Sequence, residues 1–215
     1  MKINHLLFKL IAFSISLLLL RAAITGQHGF VFLCWNLFLA GLPYLFVTMY
    51  EKSTNGIKKM TWLLLSILFL PNSPYIITDL FHLKKNLIAP IWLDTILILS
   101  FAICGLIFFI ITTQKLLVVV TEYSSSKFVQ LMIKVVLILL CSYGVYLGRY
   151  LRFNSWDVFS NPIHLINSMI DSVFSCRYRM QTFGVTITMA GFLYFMYEIF
   201  ANDLNIKGNN ENVSK

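Results

Sequence analysis

Gly148-Arg149-Tyr150-Leu151-Arg152-Phe153-Asn154-Ser155-Trp156-Asp157 follows directly on an apolar run, Val135–Leu147, with no loop between them. A greasy helix therefore runs straight into two arginines. Arg149 and Arg152 stand one helical turn apart, and Trp156 follows about one turn further on the same side. Asn154, Ser155 and Asp157 are short polar residues that suit a turn. Charge at the mouth of so apolar a helix is costly unless something holds it. The stretch thus marks the end of a membrane span and a place where polar partners must gather.

Working outward, the composition agrees. Of 215 residues, 58% are hydrophobic and 12% charged, where soluble domains carry about 25% charged residues. Six stretches, near 6–24, 30–49, 61–82, 91–113, 129–149 and 182–200, are each long enough to cross roughly 30 Å of hydrocarbon. The expected fold is all-α, a polytopic membrane helix bundle forming one integral membrane domain over 1–201. A polar tail, 202–215, is expected to be disordered. The first span resembles a signal peptide in length. Arg21 at its end, with no A-x-A site after it, favours an uncleaved anchor. The net charge of +8 does not indicate nucleic acid, because no basic run or RNA-binding motif is present. Cys34, Cys104 and Cys141 lie in apolar runs and Cys176 stands alone in a loop, so no disulfide framework is implied.

With the N-terminus inside, ten lysines and no arginine fall on the inner side against seven basic residues on the outer, a weak vote for that orientation. All five arginines fall on the outer side, together with Lys84 and Lys85. The acids segregate too. All four glutamates are inner, while Asp79, Asp94, Asp157 and Asp171 are outer and only Asp203 is inner. Inner lysines are what topology requires. Arginine with aspartate suits fixed, bidentate pairing. The localisation expected is a bacterial cell membrane, multi-pass, with both termini cytoplasmic.

The third span is broken by Leu70-Pro71-Asn72-Ser73-Pro74. Each proline removes an N–H and disturbs a carbonyl one turn earlier. In lipid those carbonyls need partners, and Asn72 and Ser73 are placed to help. Beyond the break, Tyr75, Thr78, Asp79 and His82 recur at helical spacing as one polar stripe. That stripe either faces neighbouring helices or lines a site, as discontinuous transporter helices do. In the second span, Asn36 is expected to bond a neighbouring helix. The fourth opens with Trp92, an interface anchor, and Asp94, which needs a cation or water. The loop over 150–181 holds an amphipathic helix starting at Asn161-Pro162 as N-cap and first residue. Ile163, Ile166, Met169, Ile170, Val173 and Phe174 form its apolar face. Its other face is not basic, so capping the bundle is preferred to lying on the membrane.

Taken together, these stretches resemble a known family. They are Asn36-Leu37-Phe38-Leu39-Ala40 with Pro43, Leu70–Tyr75 with Thr78-Asp79-Leu80 and His82, Trp92 with Asp94, and Gly148–Asp157. They look like domain of unknown function 1361, a bacterial family of multi-pass membrane proteins of about this length. The likeness covers roughly residues 20–200, and the Gly148–Asp157 stretch is highly specific. It implies a bacterial polytopic membrane protein and carries no activity with it.

The candidate outer cluster is Arg21, Asn36, Asp79, His82, Asp94, Arg149, Arg152, Asn154 and Asp157. Three readings compete. The preferred one is a structural ion-pair network in a membrane scaffold or assembly protein. An alternative is an enzyme at the outer leaflet, with arginines holding a lipid or polyprenyl phosphate and His82, Asp79 or Asp94 as acid and base. A second alternative is a transporter or ligand-binding protein using the broken span. Partners are the lipid bilayer and, in the enzyme reading, an anionic lipid headgroup or polyprenyl phosphate. Asp79 and His82 share a face, and Asp94 or His164 would complete a metal site. The arginines disfavour a cation, so neither metal nor cofactor is expected. Gly-x-Ser-x-Gly, P-loop and Rossmann patterns are absent.

In this reading, Arg149 or Arg152 pairs with Asp79 or Asp94, and His82 takes the remaining carboxylate oxygen or faces the pocket. Topology gives the first test. A reporter active only in the cytoplasm, fused at Lys215, should be active. A silent fusion alongside an active external reporter would reverse the orientation.

Overall fold

Hydrocarbon offers the backbone no water, so each span must satisfy its own N–H and C=O groups. Helices do this, and helices make up most of the described residues. The computed structural model describes residues 2–84 and 89–201; Lys85 and the polar tail lie outside the described residues. In order they are α1 Lys2–Thr25, α2 Phe32–Lys52, α3 Gly56–Phe69, α4 Asn72–Tyr75, a 3-10 segment Ile76–Lys84, α5 Ile91–Tyr123, α6 Lys127–Tyr150, α7 Asp157–Ser160, α8 Pro162–Phe174 and α9 Cys176–Ala201. Six helical stretches are long and apolar enough to cross a membrane, the third running from Gly56 through the break to Leu83.

Three boundaries move from the sequence expectation. The third span starts at Gly56, because the Asn55 side chain accepts from the Ile57 and Lys58 N–H groups and caps the helix there. The fourth runs on to Tyr123: Leu116 and Val119 continue the buried stripe, and Gln114 and Lys115 do not stop a helix. The sixth begins at Cys176, so that residue opens a helix. α5 is the central mast. Neighbours bury 61% of its apolar stretch, against 11% of that of α9.

Pro71 and Pro74 do break the third span. Their missing N–H groups would have served the Ile67 and Leu70 carbonyls. Leu70 N–H bonds Ile67 O at 3.3 Å and Ser73 N–H bonds Leu70 O at 3.1 Å instead. Asn72 Nδ2 donates to Phe69 O at 3.0 Å. Ser73 takes another course, donating across to Ala40 O of α2 at 2.8 Å. The tightened chain then continues as a 3-10 segment.

Two glycines let this irregular backbone approach its neighbours. A Cβ on Gly105 of α5 would stand 2.2 Å from Ser73 O, and one on Gly144 of α6 would stand 2.5 Å from Pro71 Cγ. Small residues at helix contacts are the usual route to close packing in lipid. Here they receive a kinked segment in place of a straight helix.

α8 departs from expectation in its orientation. Leu165 and Ser172 are buried, whereas Ile163, Ile166, Ile170 and Phe174 are at least half exposed. The Ser172 and Tyr143 hydroxyls share a 2.9 Å hydrogen bond, and Thr182 Oγ1 donates to Ser172 O at 2.8 Å. α8 therefore docks by its small polar edge, because α6 and α9 present hydroxyls there. Its apolar stripe points outward, as on an interfacial helix, and does not cap the bundle. Asn161 occupies the N-cap position without a side-chain cap bond.

Described ion pairs sort by end. Arg21–Asp94 and Arg149–Asp79 lie at one end of the bundle, hereafter the arginine end, and Lys115–Glu51 and Lys134–Glu198 at the other.

The glycine contacts are testable. Gly105→Ala should lower thermal stability, by about 1–3 kcal/mol for overpacking. Gly191→Ala, where a Cβ meets nothing within 4 Å, should be neutral or stabilising. Equal melting temperatures for the two variants in detergent would refute the close-approach account.

Candidate functional site at the arginine end

Two separate clusters form here. The first ties α1 to α5. Arg21 Nε donates to Asp94 Oδ1 at 2.6 Å, and Nη2 lies 3.5 Å from Oδ2. The two side chains are 1% and 2% exposed. The guanidinium also stacks 4.2 Å over the Phe30 ring. Because α1 packs on α5, Arg21 reaches Asp94 before any other cation does. Of the expected pairing of Arg149 or Arg152 with Asp79 or Asp94, the Asp94 alternative therefore does not form, and Arg149 pairs with Asp79. This pair is sealed from solvent and suits a structural tie.

The second cluster centres on Asp79, itself 1% exposed. Asn36 Nδ2 of α2 donates to Asp79 Oδ2 at 2.7 Å, and Arg149 Nη1 of α6 to Oδ1 at 3.3 Å. Arg149 Nη2 lies 3.3 Å from His82 Nδ1. The same Nδ1 lies 3.2 Å from the Asp79 carbonyl oxygen; a guanidinium only donates and a carbonyl only accepts, so Nδ1 serves one or the other according to its tautomer. His82 Nδ1 is 3.8 Å from Asp79 Oδ1, a contact and not a bond.

The 3-10 geometry explains this alignment. Residues three apart eclipse one another, so Asp79 and His82 stack toward Arg149. The single polar stripe expected from α-helical spacing splits. Thr78 is buried and donates back to Tyr75 O at 2.6 Å.

Beyond Arg149, α6 stops sharply. Arg152 has φ 62, in the left-handed region that favours glycine and costs other residues about 1–2 kcal/mol. Phe153 N–H returns to Leu147 O at 3.2 Å. The turn is then fixed by Asp157, whose Oδ2 accepts from Asn154 N at 2.6 Å and Oδ1 from Ser160 Oγ at 3.1 Å. Asn72 Nδ2 of the broken span donates to Ser155 Oγ at 2.9 Å.

Asn36, Asp79, His82, Arg149, Arg152 and Asn154 converge on one cavity of about 780 Å³. Of the sequence candidates, Arg21 and Asp94 lie elsewhere in their own pair, and Asp157 holds the turn. Asn72, Tyr75, Ser155 and Trp35 also line the cavity and were not among the candidates. The polar stripe pointed to Tyr75, and the amide between two prolines pointed to Asn72. Nothing local marked Trp35. Arg152 is exposed and makes no ion pair among the described residues. No group of three or more His, Cys, Asp or Glu side chains gathers among the described residues. Asp94 is held by Arg21, and the His164 ring lies 5.3 Å from that of Phe153.

No curated protein and no solved structure matches this chain. A family model described as protein of unknown function (DUF1361) matches residues 35–196. The match takes in every polar residue of the cavity and leaves out Arg21. The chain is a multi-pass membrane protein and belongs to the DUF1361 family.

Proposed function

We propose that this protein binds a phosphate-bearing ligand in the arginine-end cavity, at the extracytoplasmic face of a bacterial cell membrane, with both termini cytoplasmic. The observation that carries the reading is Arg152. It holds a strained backbone conformation, is exposed, lines the cavity and has no carboxylate partner among the described residues. Strain of this kind is a pointer to function when it is observed, not assumed. Arg149 adds a second guanidinium, partly open at 15% exposure. Two guanidiniums facing one carboxylate leave the cavity cationic, and their planar forks fit phosphate oxygens. His82, 30% exposed beside them, is placed to move a proton. The buried Arg21–Asp94 pair supports the scaffold reading for its own corner of the bundle.

Arg152→Gly separates function from folding. Glycine relieves the left-handed strain, so thermal stability should hold or rise by about 1 kcal/mol. Inorganic phosphate binding, followed by calorimetry on the purified protein, should weaken about tenfold or more, as for loss of a charge-assisted hydrogen bond. Unchanged phosphate affinity would sink the proposal.

An exchange of charges tests Arg149. The variant combining Asp79→Arg and Arg149→Asp should recover the folded yield lost in Arg149→Ala, yet not recover phosphate binding. Recovery of both would make Arg149 purely structural.

A further inference from the structure

The cavity is far larger than a phosphate, and its walls change character with depth. Asn36, Asp79, His82, Arg149 and Arg152 stand at its mouth, and Asn72 is the polar residue beside its deeper wall. α6 runs toward that mouth, so Gly144 and Leu147 lie deeper than Arg149. α2 runs away from it, so Leu39 lies deeper than Asn36. Leu68, just before the break in the third span, lies beside them. α4 packs against α2, α5 and α6. The cavity thus continues inward as an apolar groove lined by Leu39, Leu68, Gly144 and Leu147. Trp35 and Phe81, each 56% exposed, stand on its walls and join it to the apolar outer surface of the bundle.

A soluble phosphate has no use for that groove, and a neutral lipid has none for Arg152. One ligand class fits both halves. Resting on the phosphate reading of the cavity, we propose that the ligand is a phosphate-headed amphiphile drawn from the membrane. Its phosphate lies against Arg149 and Arg152, and its hydrocarbon chain runs along Leu39, Leu68 and Leu147. Charge complementarity sets the polarity of binding: the head stays at the mouth, where the guanidiniums are, and the chain points toward the middle of the bundle. The route in is sideways, past Trp35, so the ligand need not leave the bilayer.

The test uses the whole chain in nanodiscs of neutral phosphatidylcholine. The probe is phosphatidic acid with a diazirine on one acyl chain; phosphatidylcholine with the same labelled chain is the comparison. Light should attach phosphatidic acid to peptides containing Trp35–Leu39, Leu68 or Gly144–Leu147 about tenfold more than the comparison lipid, the margin of one charge-assisted contact. Arg152→Gly should remove that excess while the protein stays folded. Equal labelling by the two lipids, or phosphatidic acid spread over the exposed face of α9, overturns the inference. If inorganic phosphate still binds in an Arg152-dependent way in that case, the phosphate site stands and only the amphiphile is wrong. If neither inorganic phosphate nor phosphatidic acid binds, both readings fall.

Discussion

Pro71 and Pro74 deprive the third span of two N–H groups in a place where water cannot replace them. The architecture of the arginine end follows from how that shortage is met. Neighbouring amides bond one residue short of the α-helical pattern, and Asn72 covers the Phe69 carbonyl. The chain tightens into a 3-10 segment that stacks Asp79 and His82 on one line. Gly105 and Gly144 then let α5 and α6 close on the break. That closeness brings Arg149 within reach of Asp79, whose side chain is short.

The two arginine–aspartate pairs at this end differ in what surrounds them. Arg21 and Asp94 are both almost wholly buried and bonded to one another at 2.6 Å. Breaking such a pair leaves an uncompensated charge, so it locks α1 to α5 and offers nothing to a ligand. Asp79 is equally buried, but its cation is not, and Asn36 already satisfies its second oxygen. Asp79 therefore orients Arg149 from behind while the rest of the guanidinium remains available. A similar chemical pair serves as a clasp in one place and as a mount in the other.

In the proposed phosphate site, Arg152 sets stability against binding. A helix stop in the left-handed region calls for glycine, yet an arginine stands there with φ 62. Nothing among the described residues pairs with it. The short turn behind it is firmly held by Asp157 and by the Asn72–Ser155 bond, so the strained residue is displayed from a rigid support. Such preorganisation is what an anion site needs, since little ordering cost then remains on binding.

Much of this was legible in the sequence. Hydropathy and length determined six spans, the two prolines determined the break, and the shared sidedness of arginine with aspartate pointed to the end where Arg21 pairs with Asp94 and Arg149 with Asp79. These are local properties, set by solvent and by the backbone's own hydrogen bonding. Tertiary structure alone decided the partners. Asp94 went to Arg21 and Asp79 to Arg149 because α1 lies on α5 and the broken segment lies on α6, and helix neighbours are not written in any short stretch. It also split the stripe from Tyr75 to His82, since α-helical and 3-10 spacing differ only in how the freed carbonyls are shared. It turned the apolar face of α8 outward, because the hydroxyls of Tyr143 and Thr182 bind the small edge carrying Ser172. The sequence determined which polar groups had to be neutralised; the packing of the helices decided which of them were closed off and which were left facing a cavity.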